Sequence, residues 1–379
     1  YKLEDRPLWA DVRFEGKKGE PEAFRAYGDA GGAGVFYRGA YLAHGTARLM
    51  VSNQVVQLDD LHVERDEGSV DGFLRLDFEN SVVSLDMAGR MDAKAIGRMS
   101  GKEVEGVLRN FEFGAPIEGH VNGEIHFKGG ANTRLEIQAG GDDVSLWAYQ
   151  TDHLDVDIFW TNRLLHVQRF DADLYGGGVT GDFQVVFQGP GTPPTYALSA
   201  AAEGLNFEDV VRTVAHREGE PYRGRISGTA QLDGVLAPGR AAELAGTGTI
   251  DVVDGRIMSI PVFGGLSRGL SRIYPGLGFA SQTDFSAAFR LADLHLSSRD
   301  VRLEGDVFSL KGKGRYGIEE KSLDFDVEFK LLRTGNVGTV VRVVTFPLTK
   351  LLAFDLEGTL DEPRWRPKNL PREVFELFE

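Results

Sequence analysis

Cysteine is absent from the 379 residues, which excludes a disulfide framework and thiolate metal sites. The absence suits an oxidising compartment, where stray thiols are a liability. Proline is scarce at 14 while glycine reaches 48, a balance that suits many tight turns between strands and not a disordered chain. Positive charge is short: 42 Lys and Arg stand against 57 Asp and Glu, a formal net charge of −15. Contact with a phosphate backbone needs clustered cations, so nucleic acid is excluded as a partner. Broad electrostatic docking on anionic lipid is excluded for the same reason. No run reaches the ~20 apolar residues of a membrane span. The nearest, residues 337–354, is interrupted by Arg342, Pro347 and Lys350. The sequence opens at Tyr1 without a charged-then-apolar leader, so a signal or membrane anchor is expected outside it.

What is present is alternation. Leu323, Phe325, Val327, Phe329 and Leu331 alternate with Asp324, Asp326, Glu328 and Lys330. Phe285, Phe289 and Leu291 share one parity, with Ser286, Arg290 and Ala292 between them. A period of two puts apolar side chains on one face of a sheet and charges on the other. Leu74, Leu76 and Phe78 repeat the pattern, as do Val83, Leu85 and Met87, and Leu154, Val156, Ile158 and Trp160. Phe183 to Phe187 forms a further strand. Residues 2–14 read as an opening strand and 16–34, rich in glycine and charge, as a loop. Residues 92–99 and 206–214 read as short helices.

The order repeats loosely at about a hundred residues. LDDLHVERDEGSVDGFLRLDF from Leu58 resembles VQRFDADLYGGGVTGDFQVVF from Val167 and LSSRDVRLEGDVFSLKGKGRY from Leu296. Two stretches break the strand rhythm. In VFGGLSRGLSRI, Val262, Phe263, Leu266, Leu270 and Ile273 fall at helical spacing with Arg268 and Arg272 opposite. Residues 337–352 are similar, with Pro347 inside. Such amphipathic segments either cover a core edge or contact a membrane or partner.

Catalytic patterns fail in context. Gly265-Leu266-Ser267-Arg268-Gly269 matches a nucleophile elbow, yet no α/β alternation surrounds it. The glycines of GKGRYG (312–317) match a dinucleotide fingerprint, but a strand follows where a helix is required. Asp171, Asp173 and Asp182 lack the spacing of a calcium repeat. The eight histidines show no metal spacing, and Trp9, Trp147, Trp160 and Trp365 are too dispersed for a sugar platform. No catalytic residue, cofactor or metal is therefore expected, and the chain reads as non-enzymatic.

The phrases VVDGRI, FSAAFRL, LKGKGRYG and LEGTLDEPRWRP, within residues 204–367, resemble the C-terminal region of the AsmA-like family of bacterial envelope proteins. Earlier residues match only in style. The family is similar to bridge-like lipid transfer proteins. The resemblance implies a long, curled antiparallel sheet, a taco-like groove with an apolar inside. It further implies an N-terminal inner-membrane anchor, a periplasmic location and phospholipid transport between the two membranes of a Gram-negative envelope, in support of outer-membrane integrity.

Elementary physics points the same way. A sheet with one apolar face must bury it, and few helices are available to do so. About twenty strands would curl by twist and, at ~4.8 Å each, span roughly 100 Å. Each buried CH₂ contributes about 0.8 kcal/mol, so an acyl chain of ~16 carbons is held by on the order of 13 kcal/mol relative to water. The term is non-directional, and a lipid can slide along a uniform wall. The sequence-level assignment is a mainly β groove with a few short amphipathic helices. Residues 1–203 form its N-terminal part, 204–368 the AsmA-like part and 369–379 a tail. Lipid-facing positions are Phe285, Phe289, Leu291, Leu323, Phe325, Val327 and Phe329, with Leu154, Val156, Ile158 and Phe183 further back. Val262, Phe263, Leu266, Leu270 and Ile273 are the expected contacts for a membrane or partner. The competing architecture is a β-sandwich or barrel. The competing functions are a scaffold for outer-membrane protein assembly that moves no lipid, recognised by an edge strand pairing with its partner, and a carbohydrate-active enzyme, which would need paired carboxylates in a cleft.

Overall fold

A computed structural model of the chain describes residues 2–3, 8–128, 133–147, 149–215, 222–239, 243–256, 261–263, 266, 283–305, 308–331 and 352–368. The fold is mainly β, in antiparallel pairings, with a few short helices, as the alternation implies. The chain forms two compact units: Tyr1–Leu174 with Thr180–Thr192, and Tyr175–Val179 with Pro193–Glu379.

In the first unit β1 (Lys2–Leu3) and β2 (Trp9–Lys17) both pair with β3 (Glu20–Tyr37). The ladder then runs through β4 (Ala40–Ser52), β5 (Val55–Arg65), β6 (Gly68–Asp77) and β7 (Val82–Met91). Helices α1 (Ala93–Ser100) and α2 (Lys102–Leu108) follow, then the short β8 (Phe111–Phe113). β9 (Ile117–His126) returns to pair with β7, and β10 (Arg134–Leu146), β11 (Tyr149–Thr161) and β12 (Leu164–Leu174) continue from it. β8 pairs with the far end of β10. The loop expected over 16–34 is instead most of β3. Its glycines and charges are held extended by strand partners on both edges, β2 and β4. The opening strand expected over 2–14 is divided between β1 and β2.

β13 (Gly177–Val186) spans the unit boundary. The second unit runs in chain order through β14 (Thr195–Asn206), β15 (Arg225–Val235), β16 (Ala245–Gly255), β17 (Thr283–Ala292), β18 (His295–Gly305) and β19 (Phe308–Gly317). β20 (Ser322–Leu331), β21 (Leu352–Thr359) and β22 (Pro363–Pro367) complete it. The sequence boundary at 203/204 falls inside β14. Helix α3 (Phe207–Ala215) follows β14, and a 3-10 turn covers Pro261–Phe263.

Both expected helices form where a cap starts them. Asp92 accepts hydrogen bonds from the backbone N–H of Lys94 (3.2 Å) and Ala95 (3.0 Å), satisfying two of the free donors of α1. Asn206 does the same for α3 through Glu208 (2.9 Å) and Asp209 (3.3 Å). Helix α2 is an addition to the sequence reading. Gly97 lets it approach, since a Cβ there would stand 3.3 Å from the Cα of Glu105. The three similar runs from Leu58, Val167 and Leu296 each carry a β-bulge in their first strand. The register shifts between Leu58 and Leu61, at Gln168, and between Ser298 and Val301.

Candidate functional site: the apolar sheet faces

Residues directly opposite in an antiparallel ladder share a face, so the register sorts the first unit into two faces. One row runs Leu49, Leu58, Leu74, Leu85, Gly123, Leu135, Trp160, Leu165 across eight strands. A parallel row two residues along runs Gly72, Met87, Val121, Ile137, Ile158, Val167. A third joins Ala139, Val156 and Phe170, and a fourth Gly141, Leu154 and Ala172. At two residues per step the apolar band is roughly 20 Å wide.

The opposite face is polar and stapled between strands. His62 pairs with Asp71 at 2.6 Å, His120 with Asp86 at 2.7 Å, and His153 with Asp142 at 2.7 Å. Arg169 donates to Asp157 at 3.0 Å. The hydrogen bonds from His120 and then Asn122 hold the Asp86 carboxyl below its ordinary range. The carboxylates of Asp142 and then Asp155 raise the pKa of His153. Among the described residues no group of three or more His, Asp or Glu is arranged to hold a metal ion.

The apolar band of the first unit is only partly buried. Leu58, Leu74, Leu85, Val121, Ile137 and Trp160 all remain partly exposed, and in the long Leu49 row only Leu135 is buried. The buried residues of α1 are small: Ala93, Ala95 and Gly97. Leu154, Val156 and Ile158 lie in this band, half-buried. Phe183 is half-buried on β13, at the parity of the buried Val185. The sequence reading missed the contributions of β4 to β7, β9, β10 and β12 to the band. Their alternation was visible, but membership of one surface depends on register.

The second unit is built differently. Its apolar residues join one core that includes Val252, Leu303, Phe308, Leu310, Phe354 and Trp365. Leu323, Val327 and Phe329 are buried in this core, and Phe285 and Phe325 pack against it. Leu291 is also buried. Phe289 is half-buried and lies over Gly248, where a Cβ would stand 2.5 Å from its ring. Phe207 and Val211 of α3 belong to the cover, with Val262, Phe263 and Leu266. Leu266 is fully buried, and the Phe263 and Trp365 rings lie 6.2 Å apart. As placed, Leu323, Val327 and Phe329 meet protein, and an acyl chain would reach them only if that cover moved. Leu270 and Ile273 lie outside the described residues, as does most of the GLSRG run. The glycines of 312–317 are strand residues of β19.

Among the described residues no helix is long and apolar enough to cross a membrane. Comparisons with family models, with curated proteins and with solved structures find no match for this chain.

Proposed function

We propose that the chain is a non-enzymatic lipid-binding β-sheet protein. In this reading it carries phospholipid between the inner and outer membranes of a bacterial envelope, as the resemblance to the AsmA-like family implies. Its place of action is the periplasm, held there by an N-terminal anchor. The observation that supports this reading is the partly exposed apolar band of the first unit, continuous in register from β4 to β12. Apolar surface left in water costs about 25 cal/mol per Å², and a band this extended marks a surface that meets an apolar ligand or partner. Acyl chains suit it because every row offers apolar contact, with the Trp160 indole the one polar tip in the four rows.

Lipid therefore binds the first unit, while the core of the second acts as a folded support. Native mass spectrometry of the purified chain with lipid extraction tests the reading. Co-purified phospholipid that falls when Ile158 is changed to Asp supports it. A stable, lipid-free chain would overturn it in favour of a scaffold whose protein partner covers the band.

A further inference from the structure

A concavity of about 1010 Å³ lies on the polar face of the second unit, between β15 and β20. Its shape has a local cause. On β18 the residues Arg299 and Asp300 together oppose Lys313 of β19, because Ser298 pairs with Gly314 and Val301 with Gly312. Towards β17 the same stretch faces Phe289, since Ala288 pairs with Asp300 and Arg290 with Ser297. Such a bulge bends its strand and re-aims side chains that strict alternation would send to opposite faces. Here it brings Arg299 and Asp300 together into the lining, beside Arg290.

The charges of this lining do not cancel. Arg302 holds both carboxylate oxygens of Asp300 at 2.8 Å. Arg315 donates to Asp324 at 3.2 Å, and Asp326 is bound by Lys368 with Lys313 at 3.8 Å. All three lining carboxylates are thus matched. Arg290 and Arg299 have no carboxylate partner among the described residues, and both are exposed. On a chain of net charge −15, two unmatched guanidinium groups in one concavity reverse the local field. Hydroxyl groups share the wall: Thr229 and Thr249 bond each other at 3.0 Å, Ser297 donates to the Arg290 carbonyl at 3.3 Å, and Thr247 stands beside them. Guanidinium groups pair with tetrahedral oxyanions through parallel N–H donors.

We propose that this concavity binds a phosphate group through Arg290 and Arg299. The phosphate belongs either to a soluble phosphorylated compound or to a phospholipid headgroup, and the chemistry is shared. The site uses the polar face, so it stands independently of the apolar band.

The test uses the full chain, the double variant R290Q/R299Q and a charge-matched control, R48Q/R75Q, in the first unit. Inorganic phosphate is titrated by calorimetry. Vesicles of phosphatidylcholine with and without phosphatidylglycerol are followed by co-sedimentation. Saturable phosphate binding that weakens about tenfold or more in R290Q/R299Q, and not in the control, is expected. If vesicle binding falls in the same variant only when phosphatidylglycerol is present, the source is a headgroup. If vesicles are ignored, it is a soluble phosphate. Absence of saturable binding to either probe, or equal loss in both double variants, overturns the proposal. Both arginines are exposed, so the variant should keep the wild-type melting curve, and any lipid co-purified on the apolar band should be unchanged.

Discussion

The indole nitrogen of Trp365 donates a hydrogen bond of 2.7 Å to the backbone carbonyl of Val262. One residue belongs to the last strand, the other to the turn that lies over the second unit's core. The bond ties to the last described strand a turn that packs against the core containing Leu323, Val327 and Phe329, and the Trp365 ring packs on Phe354 at 6.1 Å. Trp365→Phe removes the donor and leaves the carbonyl of the partly buried Val262 without this partner. It should destabilise the second unit by about 0.5–1.5 kcal/mol, read as a shift in the urea midpoint. Trp365→Ala should cost about 3–5 kcal/mol. Equal stability of wild type and Trp365→Ala would show that the turn does not seal the core.

Charge insertion should separate the two apolar faces. Val327 is 4% exposed within a packed core, so Val327→Asp buries a carboxylate without a partner. A loss of more than ~4 kcal/mol is expected. Ile158 is only partly buried, between Ile137 and Val167. An Asp there keeps contact with water, and Ile158→Asp should cost less than ~1.5 kcal/mol. Circular dichroism melts of the two variants compare these directly, and similar losses would mean that both faces are closed.

Gly248 leaves room for Phe289. A Cβ at Gly248 would stand 2.3 Å from the carbonyl oxygen of Thr229 as well as 2.5 Å from the ring. The ring can turn, but the backbone oxygen cannot. Gly248→Ala should therefore destabilise by about 1–3 kcal/mol, and Phe289→Ala in the same chain should not restore the loss. Full rescue by Phe289→Ala would place the whole conflict in the ring.

His153 gives the first unit a pH dependence of defined sign. Its pKa is raised above the ordinary value of about 6.5 by Asp142 first and Asp155 second. The protonated form is the one stabilised, so the contribution is complete below the unfolded value and is lost as pH rises through the folded one. The pair is 44% exposed on the histidine side, and screening limits it to about 1 kcal/mol or less. His153→Gln should lower the melting temperature at pH 5.5 and leave it unchanged at pH 9. A deficit that grows with pH would reverse the sign.

Much of the ladder was legible because alternation is a local property. Leu323 to Phe329 read as one face, and the register places them on one face in β20. The helices at residues 93 and 207 were legible through Asp92 and Asn206, whose side chains cap them. β3 was not, since its glycines and charges carry no strand signal and partners on both edges hold it extended. Nor was the difference between the two apolar faces. The amphipathic run at Val262 suits a core cover and a membrane contact equally well. Only its packing on Trp365 and Phe354 distinguishes them. The bulge that sets Arg299 beside Asp300 depends on register with two neighbours, which no single strand records.

The most direct test places a photo-crosslinking amino acid at Ile158 and, separately, at Asp157, its neighbour on the opposite face of β11. Irradiation in cells followed by mass spectrometry reads which position captures phospholipid. Capture at Ile158 and not at Asp157 is the predicted result. Protein adducts at Ile158 without lipid, or equal lipid capture at both positions, would contradict the account.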